Sequence, residues 1–247
     1  MSPTEETSHD IPGLDTSGVF REYAIFNERA LAKAPSNLSY EETASLVCSG
    51  LTAWNALYGC NPIKAGSWVL VQGTGGVSMF AVQFALAAGA TVIATTSSDA
   101  KAKMLKDLGV HHVLDYKQDT NWGETARKLT PRGLGCDHVI EVGGPSTINE
   151  TFKCVARGGV IDVIGFLSGQ ENVENSPSWI KPLIGACIVR GVEVGNRQQI
   201  AEMVRAIEGK DIKPVMDSEA FTLRQMPDVY RRVWAGKHMG KAVVSGV

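Results

Sequence analysis

Three small residues at fixed spacing, Gly73-x-Gly75-x-x-Ser78, follow a short apolar run, WVLVQ (68–72). After them Val77, Phe80, Ala81, Phe84 and Ala85 recur at helical spacing. A strand that turns sharply into a helix presents free backbone N–H groups and the positive end of the helix dipole, which is a site for phosphate. Gly73 permits the tight turn, Gly75 lets the backbone approach a pyrophosphate, and Ser78 is small enough for close packing of helix on strand. Thr74, Gly76 and Val77 complete the turn. The glycines alone are a weak signal; their place in a strand–turn–helix–strand unit of about 30 residues gives them weight.

The next chemical position is the tip of the second strand. In a dinucleotide site, an Asp or Glu about 20 residues past the first glycine takes the ribose 2′-hydroxyl. Here TVIAT (91–95) runs into Thr96-Ser97-Ser98, with no carboxylate at the tip and Lys101 shortly after. Hydroxyls and an ammonium hold a 2′-phosphate by hydrogen bonds and charge. The expectation is NADP(H) rather than NAD(H). Asp99 stands against it, although its position also suits a helix N-cap.

These residues need a scaffold, and the chain supplies alternating elements. Strands are expected at 68–72, 91–95, 111–116 (HHVLDY), 136–142 (CDHVIEV), 159–166 (GVIDVIGF) and 187–195 (CIVRGVEVG). Helices are expected between them, over Asp99–Leu108, Trp122–Leu129 and about Ser146–Val155, then over Arg197–Ile207 and Met226–Trp234. That alternation implies an α/β fold, a doubly wound parallel sheet of Rossmann type. The strands are nearly all apolar, as in a sheet covered on both faces. Upstream, GVFREYAIF (18–26) reads as a strand, and Ser39 with Glu42 fits a capping box that opens a helix. A second helix is expected from Cys48 to about Leu57. Residues 1–17 read as a mobile tail and 167–185 as irregular. KAVVSG (241–246) reads as a last strand.

Composition excludes several functions. The chain has 247 residues, 44% of them hydrophobic, and 24 Lys+Arg against 26 Asp+Glu. A net charge of -2 lacks the basic excess of a nucleic-acid surface and shows no polybasic membrane patch. No apolar stretch approaches the ~20 residues of a membrane span. The start, MSPTEETSHD, lacks the features of a signal peptide. Five cysteines, an odd number with no CxxC spacing, imply neither a disulfide framework nor a zinc knuckle. A reducing, cytoplasmic setting is expected.

Several stretches together resemble the medium-chain dehydrogenase/reductase superfamily, in its zinc-type alcohol dehydrogenase-like and quinone-reductase-like branch. They are LVCSGLTAWNAL (46–57), VLVQGTGGVS (69–78), LGVHHVLDYK (108–117), DHVIEVGG (137–144), GGVIDVIGFLSG (158–169) and HMGKAVV (238–244). The resemblance implies that Gly73 to Ser78 hold the pyrophosphate. Ser97, Ser98, Lys101 and Tyr116 would surround the adenosine 2′-phosphate and adenine. Val142, Gly143, Phe166 and Leu167 would wrap the nicotinamide end, Gly195 and Asn196 form a later cofactor-contact turn, and Thr52 sits beside the nicotinamide. It implies a homodimer joined through the edge strand 187–195.

The resemblance also divides the chain into a Rossmann domain over 61–208 and a truncated remnant of a catalytic domain over 18–60 and 209–247. Family members carry about a hundred further residues before the point where this chain begins. Cys48 falls where zinc-using members place one metal ligand. Catalytic zinc needs three protein ligands, and His9, His111, His112 and His238 lie elsewhere, so no zinc is expected and Cys48 reads as a small buried residue. Thr52 and Cys48 are the catalytic candidates that the resemblance offers.

Two functional classes follow. One is a zinc-independent, NADP(H)-dependent oxidoreductase that reduces a carbonyl or activated C=C, or oxidises an alcohol, of a small apolar substrate; Trp54, Trp179 or Trp234 would line its pocket. The other reuses the same cleft without redox chemistry, as a cyclase, isomerase, dehydratase or binding protein. Glu141, Asp162 or Glu193 would then act as acid or base. An open turn at 73–78 favours the first class, and a cleft filled by side chains or by the 167–185 loop favours the second.

Overall fold

The computed structural model describes residues 16–169 and 177–245. All but the last two residues of the expected tail lie outside this range, as do His9 and the middle of the 167–185 loop. The sheet has six parallel strands, β1 (Trp68–Gln72), β2 (Thr91–Thr96), β3 (His112–Asp115), β4 (Cys136–Glu141), β5 (Val155–Val163) and β6 (Ile188–Gly191). Their order is β3-β2-β1-β4-β5-β6. The order reverses between β1 and β4. In such sheets the crevice beyond the strand ends at that reversal is where ligands bind.

Period-2 alternation sends side chains to two cores. Val69, Val71, Val92, Ala94 and Ile140 face helices α2 (Leu51–Tyr58), α3 (Gly76–Ala87), α4 (Asp99–Asp107) and α8 (Arg197–Lys210). Leu70, Ile93, Val139 and Ile161 face α5 (Trp122–Leu129) and α6 (Ile148–Cys154). The central strands are fully buried. Each large aliphatic side chain taken out of water contributes about 1.5–3 kcal/mol. Helix α3 is apolar nearly all round because it is sandwiched between α2 and the sheet. Ahead of α1 (Tyr40–Ala44), the capping box forms as expected. Ser39 Oγ accepts from Glu42 N at 3.2 Å, and Glu42 Oε2 accepts from Ser39 N at 2.8 Å.

Four expectations change. Residues 18–26 form no strand, and Val19, Phe20, Tyr23, Ile25 and Phe26 are exposed. No neighbouring strand is present among the described residues to satisfy their backbone groups, and a strand needs one. The helix expected over Cys48 to about Leu57 forms as α2, but its first residues belong to a π turn, Leu46–Gly50, that runs into it. The 167–185 region contains a short helix, α7 (Lys181–Gly185). A strand not foreseen, β7 (Met216–Thr222), pairs in parallel with β8 (Lys241–Ser245) across helix α9 (Met226–Trp234). Its sequence, MDSEAFT, is charged and its ladder is interrupted between Met216 and Ala220, so it carries no alternating apolar pattern.

Helices α5 and α6 touch through a glycine. A Cβ on Gly123 would stand 2.1 Å from the Glu150 carbonyl oxygen. Gly123→Ala is expected to lower the urea midpoint by the equivalent of about 1–3 kcal/mol, the usual cost of overpacking. An unchanged midpoint would show that the two helices separate freely.

Candidate functional site

β1 ends at Gln72, and the chain turns at Gly73 with φ +72°, a left-handed conformation that a side chain disfavours. Gly73 N–H donates to Thr95 O at 2.8 Å, which ties the turn to β2. Ser78 Oγ donates to Gln72 O at 2.7 Å, so the third small residue bonds helix to strand as well as packing there. No side chain caps the start of α3. A Cβ on Gly73 or Gly75 would meet nothing within 4 Å, so the turn faces open space.

That space is a cleft of about 700 Å³. The 73–78 turn lines it together with Thr96, Ser97, Lys101 and Tyr116, with Gln72, Val142, Ile164, Gly165 and Leu167, and with the chain's return through Val233, Trp234, Gly236, His238, Gly240 and Lys241. The return is stitched to the turn. Gly240 N–H donates to Thr74 O at 3.0 Å. Gly240 has φ +61°, and a Cβ on it would strike Val215 O, so glycine alone allows this approach. Lys101 Nζ donates to Gly236 O at 3.2 Å, Lys241 Nζ to Ser49 Oγ at 3.3 Å, and Tyr116 Oη to Ser97 Oγ at 3.0 Å. No carboxylate lines the cleft among the described residues; its charged side chains are Lys101 and Lys241. Burial, with Lys101, Lys241 and Arg232, pushes the His238 imidazole below its usual 6.5 against the opposing pull of Asp217.

Glu141, at the end of β4, is fully buried, with no ion-pair partner among the described residues. Five donors converge on its carboxylate instead. Gly143 and Gly144 N–H each donate at 2.9 Å, Gln72 Nε2 at 2.7 Å, and the hydroxyls of Thr147 and Thr151 complete the set. Gln72 Oε1 in turn accepts from Val142 and Gly143 N at 3.2 and 3.1 Å. A carboxylate spent in this way shapes the turn after β4 and is not free to act as acid or base. The other acid–base candidates do not line the cleft either. Asp162, whose carboxyl burial pushes up, lies inside the sheet 3.1 Å from Arg190 Nε and 3.9 Å from His138 Nδ1. Glu193 is exposed.

Of the residues picked from sequence, Gly73 to Ser78, Ser97, Lys101, Tyr116, Val142 and Leu167 meet in the cleft. Others do not line it. Ser98 precedes α4, Asp99 being the first helical residue, not the cap. Gly143 is turned toward Glu141 and Gln72. Phe166 faces a neighbouring apolar recess of about 360 Å³ that includes Trp179. Gly195 packs on Leu51, and Asn196 caps α8 by accepting from Gln199 N at 3.0 Å. Thr52 is buried and its hydroxyl engages the carbonyls of Cys48 and Glu193 at 2.8 and 3.2 Å, which leaves it no proton for a substrate. Cys48 is exposed, not buried. Trp54 is a core residue stacked on Tyr58 at 4.1 Å, whereas Trp234 is exposed at the cleft. Sequence reasoning missed Gln72, Ser49, His238 and Lys241. The last two lie in the HMGKAVV stretch, but nothing in one dimension brings that stretch to a turn more than 160 residues earlier.

The profile of the zinc-binding dehydrogenases matches residues 76–209, more than half of the chain. A zinc-type alcohol dehydrogenase-like protein of Schizosaccharomyces pombe is 43% identical over 98% of this chain and 70% of its own length. The chain belongs to the zinc-binding dehydrogenase family. It is similar to the solved structure of an NAD-dependent alcohol dehydrogenase, with 29% identity, a TM-score of 0.85, and coverage of 95% of this chain and 67% of that one. It is also similar to a mycobacterial protein complexed with NADPH, with 29% identity, a TM-score of 0.75, and coverage of 86% and 68%. Across five curated relatives it spans 64% to 70% of their length. The zinc of the family's name has no fitting donor set here: among the described residues no three His, Cys, Asp or Glu side chains cluster to hold a metal ion.

The Glu141 network makes a prediction of its own. Glu141→Gln replaces an all-acceptor group by one with donors that meet five donors already in place. We expect a loss of about 1–3 kcal/mol in urea unfolding, the cost of buried groups left unsatisfied. A stability equal to wild type would mean that the network carries no weight.

Proposed function

We propose that the protein is an NADP(H)-dependent oxidoreductase that works without zinc on a small apolar substrate, reducing a carbonyl or activated C=C or oxidising the matching alcohol. The carrying observation is the open cleft at the strand-order reversal, which pairs an uncapped helix N-terminus with lysines and no carboxylate. An anionic dinucleotide is the ligand this chemistry fits. Relatives that are alcohol dehydrogenases support the redox class. They divide on the cofactor, so the preference for the 2′-phosphate rests on Ser97, Lys101 and Tyr116.

The backbone of Gly73 to Ser78 and the start of α3 would hold the pyrophosphate, with Lys241 adding charge. Ser97, Lys101 and Tyr116 would hold the 2′-phosphate. Val142 and Leu167 offer apolar surface at the far end of the cleft, suited to the nicotinamide ring and to keeping water from it. When bound, the nicotinamide carries the hydride, and the chain's task is to orient it. The acid–base form of the non-redox class needs a proton-transferring side chain in the cleft, and none of its candidates, Glu141, Asp162 and Glu193, lines it.

We propose that a second copy pairs along β6, the edge of the sheet, where Ile188 and Val189 are exposed beside Leu183 and Ile184. All five cysteines are free, which suits a reducing cytoplasm. No helix among the described residues is long and apolar enough to cross a membrane.

Titration with NADPH and NADH, followed by nicotinamide fluorescence and thermal stability, tests the cofactor. NADPH is expected to bind more tightly than NADH. Gly75→Asp, whose side chain would enter open space, is expected to stay folded and to weaken NADPH at least about tenfold, or 1.4 kcal/mol. A folded wild-type protein that binds neither cofactor would sink the assignment. For the partner, sedimentation at micromolar concentration should give a dimer, and a monomer there would refute the edge-strand pairing.

A further inference from the structure

His238 has no part in the roles assigned above, yet it lines the cleft together with Lys101 and Lys241. It lies two residues beyond Gly236, whose carbonyl accepts from Lys101 Nζ at 3.2 Å. Lys101 lines the same cleft as the hydrogen-bonded Ser97–Tyr116 pair. The Nδ1 of His238 is buried and has no hydrogen-bond partner among the described residues. A half-buried imidazole with an orphan nitrogen, in a cleft otherwise charged by lysines, is poised to meet an anion.

The groups that face it can be named. From α4 comes Lys101, from β8 Lys241, from α9 Arg232 and from β7 Asp217. Asp217 is the one anion of the set, and it is already engaged: it accepts from Arg232 Nη2 at 2.8 Å and from Met239 N at 3.0 Å. The balance of charge around His238 is therefore positive. In the free protein this balance and burial keep the ring neutral at neutral pH. A phosphate placed beside Lys101, carrying about -1.5 to -2 at neutral pH, would offset that balance.

We propose that His238 couples recognition of the 2′-phosphate to uptake of a proton: the ring becomes imidazolium when a 2′-phosphorylated dinucleotide occupies the cleft, and thereby raises the preference for NADP(H) over NAD(H) as pH falls. The inference rests on the cofactor reading above and deepens it. The proton comes from solvent, and no covalent bond changes.

The sign follows from linkage. The free ring titrates below 6.5 and the ring beside a phosphate titrates higher. Between those two values binding takes up a proton, so affinity falls as pH rises through the upper one, by at most about tenfold per pH unit. The phosphate itself ionises near about pH 6, and its protonation weakens binding on the acid side. NADPH affinity should therefore pass through a maximum. NADH lacks the 2′-phosphate and should show neither limb.

The experiment measures NADPH and NADH dissociation constants by fluorescence across this pH range, for wild type and His238→Gln. It is paired with calorimetry of the wild type in buffers of different ionisation enthalpy. The expected result is net proton uptake with NADPH alone and an alkaline fall in NADPH affinity that His238→Gln abolishes, with NADH unchanged. The calorimetric uptake keeps the test valid should the variant misfold. If NADPH binds without proton uptake, or if His238→Gln retains the alkaline limb, His238 has no such role and the cofactor reading stands. If neither cofactor binds to folded wild type at any pH, the cofactor reading itself fails and this inference falls with it.

Discussion

A carboxylate buried without a cation forces the geometry around it, and Glu141 does so at the centre of this protein. Leaving such a group unsatisfied costs several kcal/mol, so donors must converge on it from every side. They come from the end of β1, from the N-cap residue and the body of α6, and from the backbone directly after β4. Satisfying Glu141 thus fixes the 142–144 turn against Gln72. That turn then receives the next strand's exit. Leu167 N–H donates to Val142 O at 3.1 Å and Ser168 N–H to Gly143 O at 2.9 Å. By this chain of bonds a buried charge in the sheet places Leu167, a cleft-lining side chain, though neither contacts the other. The residue read from sequence as a possible acid or base serves instead as the organiser of the far wall.

The scaffold was legible because its signals are local. Strand–helix alternation, apolar runs and the glycine spacing each lie within a dozen residues, and they located the six strands and the 73–78 turn. Errors arose where a local pattern lacked a distant partner. Residues 18–26 alternate well enough for a strand, but among the described residues nothing lies alongside to pair with them. The reverse error produced the silence over β7, which has a partner in β8 but a charged, interrupted pattern. The site divides in the same way. Gly73, Ser78 and Lys101 belong to one βαβ unit and could be read together. His238 and Lys241 arrive from the other end of the chain. Thr52 failed as a candidate because two backbone carbonyls, one from a strand end 141 residues away, claim its hydroxyl.

Charge sorts the functional classes more sharply than shape does. A cleft at the strand-order reversal would serve a redox enzyme, a dehydratase or a binding protein equally well. What distinguishes them is which titratable groups reach it. The sheet contains buried carboxylates, but Glu141 is saturated and Asp162 points its charge into a cluster with Arg190 and His138. The cleft is left with lysines, hydroxyls, backbone N–H groups and one imidazole. Such a set can bind a polyanion and orient it, and among the described residues it holds no carboxylate to abstract a proton from carbon. Hydride transfer asks mainly for orientation, which is what this set provides.

The cleft is also a joint. Its glycine turn belongs to the six-stranded sheet, while His238 and Lys241 belong to the β7–β8 unit. Few bonds hold the two together there: Gly240 N–H to Thr74 O, Lys101 Nζ to Gly236 O and Lys241 Nζ to Ser49 Oγ. Each is a single hydrogen bond, worth roughly 0.5–1.5 kcal/mol net. A ligand whose phosphates touch both sides adds charge-assisted bonds, which are stronger. Occupancy and the fit of the C-terminal return must then reinforce one another, since whatever binds better to the joined form stabilises it by the same free energy. Gly240 is the pivot of this coupling. Any side chain there would collide with Val215 O and hold the return away from the turn. The Lys241 and His238 side chains would then lose their places in the cleft, although neither they nor the glycine turn had changed.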